Sequence, residues 1–367
     1  VTGLGVDVEA ELLEIATTDA DSAVVTFETL TTAEEERVAG VTADGYATNT
    51  IAAYESRLRT YLSWLNSTGR SESATFEPRV IAAYLSYLWR EAPPRVEGGS
   101  PGRSVATIEQ THAAILRVAR SRNEDVTAIR NSTVIQDVMR GIRRSANLTT
   151  RPKQAHAWSE HELRRIIQHL NATPGNTAVR DKALFLLGVG TGLRGAEITA
   201  LTWSDIAEDA QNRGVALTVR ASKTSTLPVQ IPVGRLSQMH SHKCPVQALA
   251  DWREVQMKAL DLTEEQMGNT NIFTRVRRGG HVKAEPISGP AVSNILRRIC
   301  EESGVPSEGV SSHSMRASMA TRSLANGTDL GAILATGRWS NPQILLGTYD
   351  RRDVFERGST TDFLGGV

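Results

Sequence analysis

The sequence predicts a mainly α-helical protein of two domains, the second carrying a small antiparallel β-sheet. Three observations lead there. Apolar residues recur at three- and four-residue steps over most of the chain. That periodicity lapses into a polar, basic stretch between Arg143 and Ala157. One pair of segments within residues 215–232 alternates apolar and polar side chains instead. At 367 residues the chain also exceeds the usual size of a single domain, which agrees with two separate cores.

The elements follow in order. Residues 1–45 mix short apolar runs with acids, and Thr32-Ala-Glu-Glu35 reads as a capping box opening a brief helix, so this segment is expected to be a mobile acidic arm. Residues 46–145 read as a helical domain. Ile51, Tyr54, Leu58, Tyr61, Leu62 and Leu65 make one helical stripe that stops at Asn66-Ser-Thr-Gly69. Pro78 opens a second helix through Ile81, Tyr84, Leu85 and Leu88. A loop rich in Pro and Gly separates it from a third helix with Ile108, Ile115 and Val118, and a fourth forms around Val134, Val138 and Ile142. The aromatic residues here keep helical spacing and are expected in the core. Residues 146–157 are the expected linker, and 158–350 the second domain, followed by a tail at 351–367. Within the second domain Val215, Leu217, Val219 and then Leu227, Val229, Ile231 mark a strand pair, with Lys223 on the connecting turn.

Composition excludes several classes. No run approaches the roughly 18 apolar residues of a membrane span. The first residues lack a secretory pattern, and two cysteines are too few for a disulfide scaffold, so a reducing cytoplasm is expected. The formal net charge of zero conceals a segregation: residues 1–45 hold eleven acids and one base, leaving 40 bases and 30 acids, a net of +10, in residues 46–367. Of the 41 basic residues only six are Lys, and Arg forks suit bidentate phosphate contacts. Arg-rich composition also follows from a GC-rich genome, so charge permits DNA binding without proving it.

Several short motifs could carry chemistry. In Thr191-Gly-Leu-Arg-Gly-Ala-Glu197 the glycines allow a sharp turn between helices, and Arg194 and Glu197 fall one turn apart on one face. Taken alone, such a pair is usually a solvated surface ion pair. His313-Ser-Met-Arg316 has the same spacing near a helix start that Ser311 or Ser312 would cap, and alone is equally weak. Gly337-Arg-Trp339 precedes Tyr349 by ten residues, and Tyr349 is the lone tyrosine of the second domain, off any obvious apolar stripe. Core packing and a functional role are evenly matched for it. His240-Ser-His242-Lys-Cys244 offers three possible metal ligands, but no fourth follows at a familiar spacing, and neither a Walker motif nor a dinucleotide fingerprint occurs. No metal or nucleotide cofactor is expected.

In chain order, Arg194, Glu197, Lys223, His313, Arg316, Trp339 and Tyr349 make a set that resembles the tyrosine recombinase (phage integrase) family: an Arg in a T-G-x-R-x-x-E turn, a hairpin Lys, H-x-x-R, a His or Trp after Gly, and a Tyr near the C-terminus. Thr107-Ile-Glu-Gln110, Val138-Met-Arg-Gly-Ile-Arg143, Lys153-Gln-Ala-His-Ala-Trp158 and Arg275-Val-Arg-Arg278 look similar to stretches of its Cre-like branch, as does Trp339 where most members have His. The likeness spans roughly residues 48–350. It implies a helical core-binding, SAM-like domain and a catalytic domain that together clamp DNA in a C shape.

The resemblance further implies a cofactor-free transesterase. Tyr349 would be the nucleophile and Arg194 and Arg316 the phosphate clamps. Lys223 would be the general acid, His313 would assist proton transfer or phosphate contact, Trp339 would donate its indole N–H, and Glu197 would orient its neighbours. Arg143, Arg144, Arg151, Lys153, Arg275, Arg277 and Arg278 are candidate DNA contacts. The implied partners are duplex DNA with inverted half-sites and three further copies of the chain in a tetramer on two sites, the tail residues Phe355, Phe363 and Leu364 docking on a neighbour. A type IB topoisomerase, a telomere resolvase and a catalytically silent DNA-binding protein are the alternatives. One departure stands out. The family usually has nine residues from the His or Trp to the Tyr, so the segment around Pro342 or Gly347 must absorb an extra residue.

Overall fold

The computed structural model describes residues 48–94, 101–149, 154–220 and 227–353. The acidic segment with its expected capping box, Arg151, Lys153, Lys223, Phe355, Phe363 and Leu364 lie outside the described residues. The chain divides into two compact units, Val1–Pro152 and Lys153–Val367.

The first unit is helical: α1 (Thr48–Ser67), α2 (Pro78–Arg90), α3 (Val105–Ser121), α4 (Val126–Asn131) and α5 (Thr133–Thr149). Gly69, at φ +67, takes the left-handed turn beyond α1, and Pro78 opens α2. Ser104 caps α3 by accepting from the Thr107 amide. Tyr61 and Tyr84 are buried with ring centroids 4.7 Å apart, and the Tyr61 hydroxyl donates to the Thr75 carbonyl at 2.7 Å, so these aromatics are core.

Two details differ from the sequence reading. α4, a single six-residue helix capped by Asp125, is too short to show periodicity. α5 buries Ile135, Met139 and Ile142 while Val134 is exposed, and its backbone continues past Arg143 to Thr149 after the apolar stripe has ended. Backbone hydrogen bonding propagates a helix beyond the residues that need to be buried.

The second unit begins with α6 (Glu160–Ala172), closed by a Ser159–Glu162 capping box, and α7 (Asn176–Thr191). α7 runs through the middle of the core, with Ala183, Leu184, Phe185 and Leu187 fully buried. After α8 (Gly195–Ala200) come β1 (Ile206–Glu208), β2 (Gly214–Val219) and β3 (Val229–Gly234), an antiparallel sheet in the order β1-β2-β3. Its register sets Leu217 opposite Ile231 and Val215 opposite Val233, all four buried. β3 thus starts two residues later than the alternation suggested, and Leu227 is exposed. A shift of two keeps the same face inward.

Next come α9 (Pro245–Leu260), α10 (Glu264–Gly268) and a second antiparallel pair, β4 (Thr274–Arg277) and β5 (His281–Pro286), turning at Gly279 and Gly280. The sequence reading allowed one interruption of helix and missed this hairpin, because each strand pairs a single valine, Val276 or Val282, with basic and polar neighbours that look like a charge run. Then follow α11 (Gly289–Glu302), α12 (Ser312–Ala325), α13 (Leu330–Gly337) and the short α14 (Pro342–Ile344), which runs into a π-turn at Leu345–Tyr349. Besides the main core, a small satellite core joins Met319, Ala320, Ile333, Trp339 and Leu345, with Tyr349 packed against it. Among the described residues no helix is long and apolar enough to cross a membrane.

Candidate active site

α7 ends at Gly192, whose left-handed φ of +61 turns the chain into α8. A Cβ there would meet the movable Met319 Cε at 2.6 Å, so it is the left-handed conformation that favours glycine. The turn delivers Arg194 to the residue before α8. Its Nη1 donates to Glu197 Oε1 at 2.7 Å, and its backbone N–H donates to Glu197 Oε2 at 2.8 Å. Glu197 is 7% exposed, so its carboxylate is held out of water, while the Arg194 side chain is partly exposed, which sets this pair apart from one on a fully solvated face.

α12 begins beside this turn, with the Ser311 amide donating to Ser314 Oγ at 3.1 Å. One turn in, Arg316 is 1% exposed. Its Nη1 donates to the Gly192 carbonyl at 2.9 Å and its Nη2 to the Gly337 carbonyl. Burial and the neighbouring Arg194 push its pKa down to about 10, which leaves it charged at neutral pH. Its guanidinium carbon lies 4.1 Å from the Trp339 ring centroid and 5.5 Å from that of Tyr349, and the two rings are 5.2 Å apart. His313, on the same helix and exposed, is held below the usual imidazole range by partial desolvation and by the Arg316 and Arg194 guanidiniums.

Between Trp339 and Tyr349 the chain passes through the π-turn. There the Asp350 N–H donates to the Leu345 carbonyl at 3.0 Å, five residues back rather than four. The turn is clamped on its far side, where Thr321 Oγ1 donates to the Tyr349 carbonyl at 2.9 Å and accepts from the Arg351 N–H at 3.1 Å.

Arg338 was not singled out by the sequence. Its Nη2 donates to Glu197 Oε2, its side chain is buried, and it stands in the left-handed region at φ 54, ψ 48. For a long L side chain that conformation costs about 1–2 kcal/mol. Only its place between Gly337 and Trp339 marked it; no sequence pattern reports a φ angle. Three guanidiniums, Arg194, Arg316 and Arg338, thus converge on the one carboxylate of Glu197 or on each other's field. Among the described residues Arg316 Nε, Arg338 Nε and Trp339 Nε1 are buried donors without an acceptor. A net positive, donor-rich and largely dry site suits an anion such as a phosphodiester.

The structure therefore brings together Arg194, Glu197, His313, Arg316, Trp339 and Tyr349. β2 and β3 flank position 223, pairing at Val219 and Val229, while Lys223 itself is outside the described residues. Arg275, Arg277 and Arg278 are exposed on the β4–β5 hairpin. In the first unit Arg143 and Arg144 line a basin of about 650 Å³ with Arg130, Arg140 and His112, although Arg143 also pairs with Glu109 at 2.8 Å. Cys244 is buried and its Sγ accepts from the Leu236 amide; no group of three His, Cys, Asp or Glu that could hold a metal occurs among the described residues.

The phage integrase family model matches residues 156–354. A tyrosine recombinase XerD of Mycobacterium leprae is 26% identical over 287 residues, covering 78% of this chain and 82% of the relative. A tyrosine recombinase XerC of Pediococcus pentosaceus is 22% identical over 289 residues. Among solved structures, the XerH site-specific recombinase bound to a palindromic difH substrate is similar with a TM-score of 0.53 at 16% identity, over 83% of this chain and 76% of that one. A lambda integrase fragment, solved as a dimer on a COC′ core site, gives 0.52 at 18% identity, over 87% and 95%. These relatives do not single out the Cre-like branch.

Proposed function

The chain belongs to the phage integrase family, and from that premise we propose that it is a site-specific tyrosine recombinase with Tyr349 as nucleophile. The observation that carries the assignment is the packing of the buried Arg316 guanidinium against both Trp339 and Tyr349, beside the Arg194–Glu197 turn. A tyrosine stacked only for packing would not need a buried cation 5.5 Å from its ring.

In the proposed reaction the Tyr349 oxygen attacks the scissile phosphorus, forming a P–O bond as the bond to the 5′-oxygen breaks. The product is a 3′-phosphotyrosyl link and a free 5′-hydroxyl. Charge gathering on the non-bridging oxygens is met by Arg194 and Arg316, with the Trp339 indole N–H as a further donor. His313, kept neutral by its surroundings, accepts the tyrosine proton, and the Lys223 ammonium supplies one to the leaving oxygen. Attack by the 5′-hydroxyl of a second strand reverses the step and leads through a Holliday junction. The phosphodiester energy is kept in the link, so no nucleotide is consumed.

Duplex DNA with inverted half-sites and a tetramer on two sites are the partners this reading calls for. Arg143, Arg144, Arg151, Lys153, Arg275, Arg277 and Arg278 would contact the backbone, and Trp339 supports a Cre-like placement within the family. A duplex selected from a random pool by the protein and nicked beside the cleavage point should trap a covalent adduct. Tyr349→Phe should abolish the adduct and keep binding. Binding without an adduct from the wild type would mean a silent DNA-binding protein, and efficient relaxation of plasmids lacking the selected site a topoisomerase.

A further inference from the structure

Arg338 is unusual among the described residues with a left-handed backbone. The other non-glycine residues there are Asn123, Asn212 and Asp261, short side chains that tolerate positive φ; Arg338 is the long one. Glycine would occupy the turn after α13 without strain. Strain that persists in a site is kept by what the side chain does, and this one reaches across the fold from residue 338 to a carboxylate at residue 197.

That carboxylate is shared. Glu197 Oε1 holds the Arg194 guanidinium, and Oε2 holds both the Arg194 backbone N–H and Arg338. With Oε2 anchored from two sides, the carboxylate plane has little freedom to rotate, and Arg194 inherits that fixed direction. Without Arg338, Oε2 would keep only a contact from the same residue that Glu197 is meant to orient.

Building on the recombinase reading, we propose that Arg338 is a positioning residue of the phosphate clamp, fixing Glu197 so that Glu197 fixes Arg194. A merely structural ion pair would be a poor reason to retain a strained arginine at the hinge of a short turn.

The test uses the full-length protein, the selected duplex and single-turnover adduct formation at saturating DNA. Arg338→Gly relieves the backbone strain and should melt near the wild-type temperature. Its adduct rate should fall about 10- to 100-fold, the scale of a slightly misplaced catalytic group, while DNA affinity stays within about threefold. Glu197→Gln should lose rate as well. Because both residues act through one link, the double variant should be no slower than the worse single.

Arg338→Lys, which keeps a cation near Glu197, should fall between wild type and glycine, and it serves as the readout if the glycine variant does not fold. Wild-type rates in Arg338→Gly, losses that multiply in the double variant, or a lysine variant as slow as glycine would each overturn the proposal alone. Absence of any wild-type adduct would remove the recombinase reading and this proposal with it.

Discussion

Tyr349 is suspended between two fixed points, and the spacing between them gives a sharp prediction. Leu345 is fully buried in the satellite core, Asp350 is 4% exposed, and the Asp350 N–H reaches the Leu345 carbonyl at 3.0 Å across five residues. An α-helix spans the same bond with four. Gly347 is exposed, and a side chain there would meet nothing within 4 Å. Deleting Gly347 should therefore turn the π-turn into an α-turn, keep both anchors and leave Tyr349 in place, with adduct formation within about tenfold of wild type. Inserting one alanine after Gly347 should do the opposite. Each α-helical residue turns about 100° and rises 1.5 Å; with the hydroxyl roughly 8 Å from the helix axis, one step sweeps it about 12 Å. Nucleophilic attack needs an approach of about 3–3.5 Å. The insertion should reduce the trapped adduct, read on a denaturing gel, below detection. If deletion and insertion abolish it equally, the π-turn is not where the extra residue is absorbed.

Four further outcomes are expected. Burial and two guanidiniums favour the neutral form of His313 and lower its pKa, so a base needed neutral should sustain cleavage to lower pH than an ordinary imidazole would, and a single-turnover pH profile shows this. Lys223→Ala should slow cleavage, and a substrate with sulfur at the 5′-bridging position, which leaves without a proton, should restore it. Leu345→Ala removes a buried side chain worth about 2–5 kcal/mol in a well-packed core; because its cluster is small, faster hydrogen exchange over residues 319–349 should exceed any change in global melting. Replacing Arg143 and Arg144 together with alanine should weaken DNA binding uniformly across sequences and reduce the log–log salt slope by roughly 2, about one per phosphate contact, in a titration by fluorescence anisotropy.

Much of this architecture was legible because its causes are local. Helical stripes such as Tyr61–Leu65 and the alternation at Val215, Leu217 and Val219 report which face must leave water, and the structure buries those faces. The β4–β5 hairpin was not legible, since with one valine per strand its inward face carries too little apolar signal against the arginines. The Arg194–Glu197 pair was readable as spacing, but whether it was a surface ion pair or a buried one depended on α12 and on Arg338, both more than a hundred residues away in the chain. The ten-residue interval before Tyr349 could be counted, while the π-turn within it depends on Leu345 and Asp350 both being buried, a tertiary fact.

Arg316 joins two bodies through its two carbonyl partners: Gly192 belongs to the turn on the main core, and Gly337 to the satellite that carries Tyr349. The arrangement works as an interlock. Moving α13 and the π-turn away from α12 would shift the Tyr349 ring, the Gly337 carbonyl bonded to Arg316 and the Arg338 partner of Glu197 together. Whatever seats the satellite therefore sets the Tyr349 ring, the carbonyl partner of Arg316 and the cation partner of Glu197 in one step.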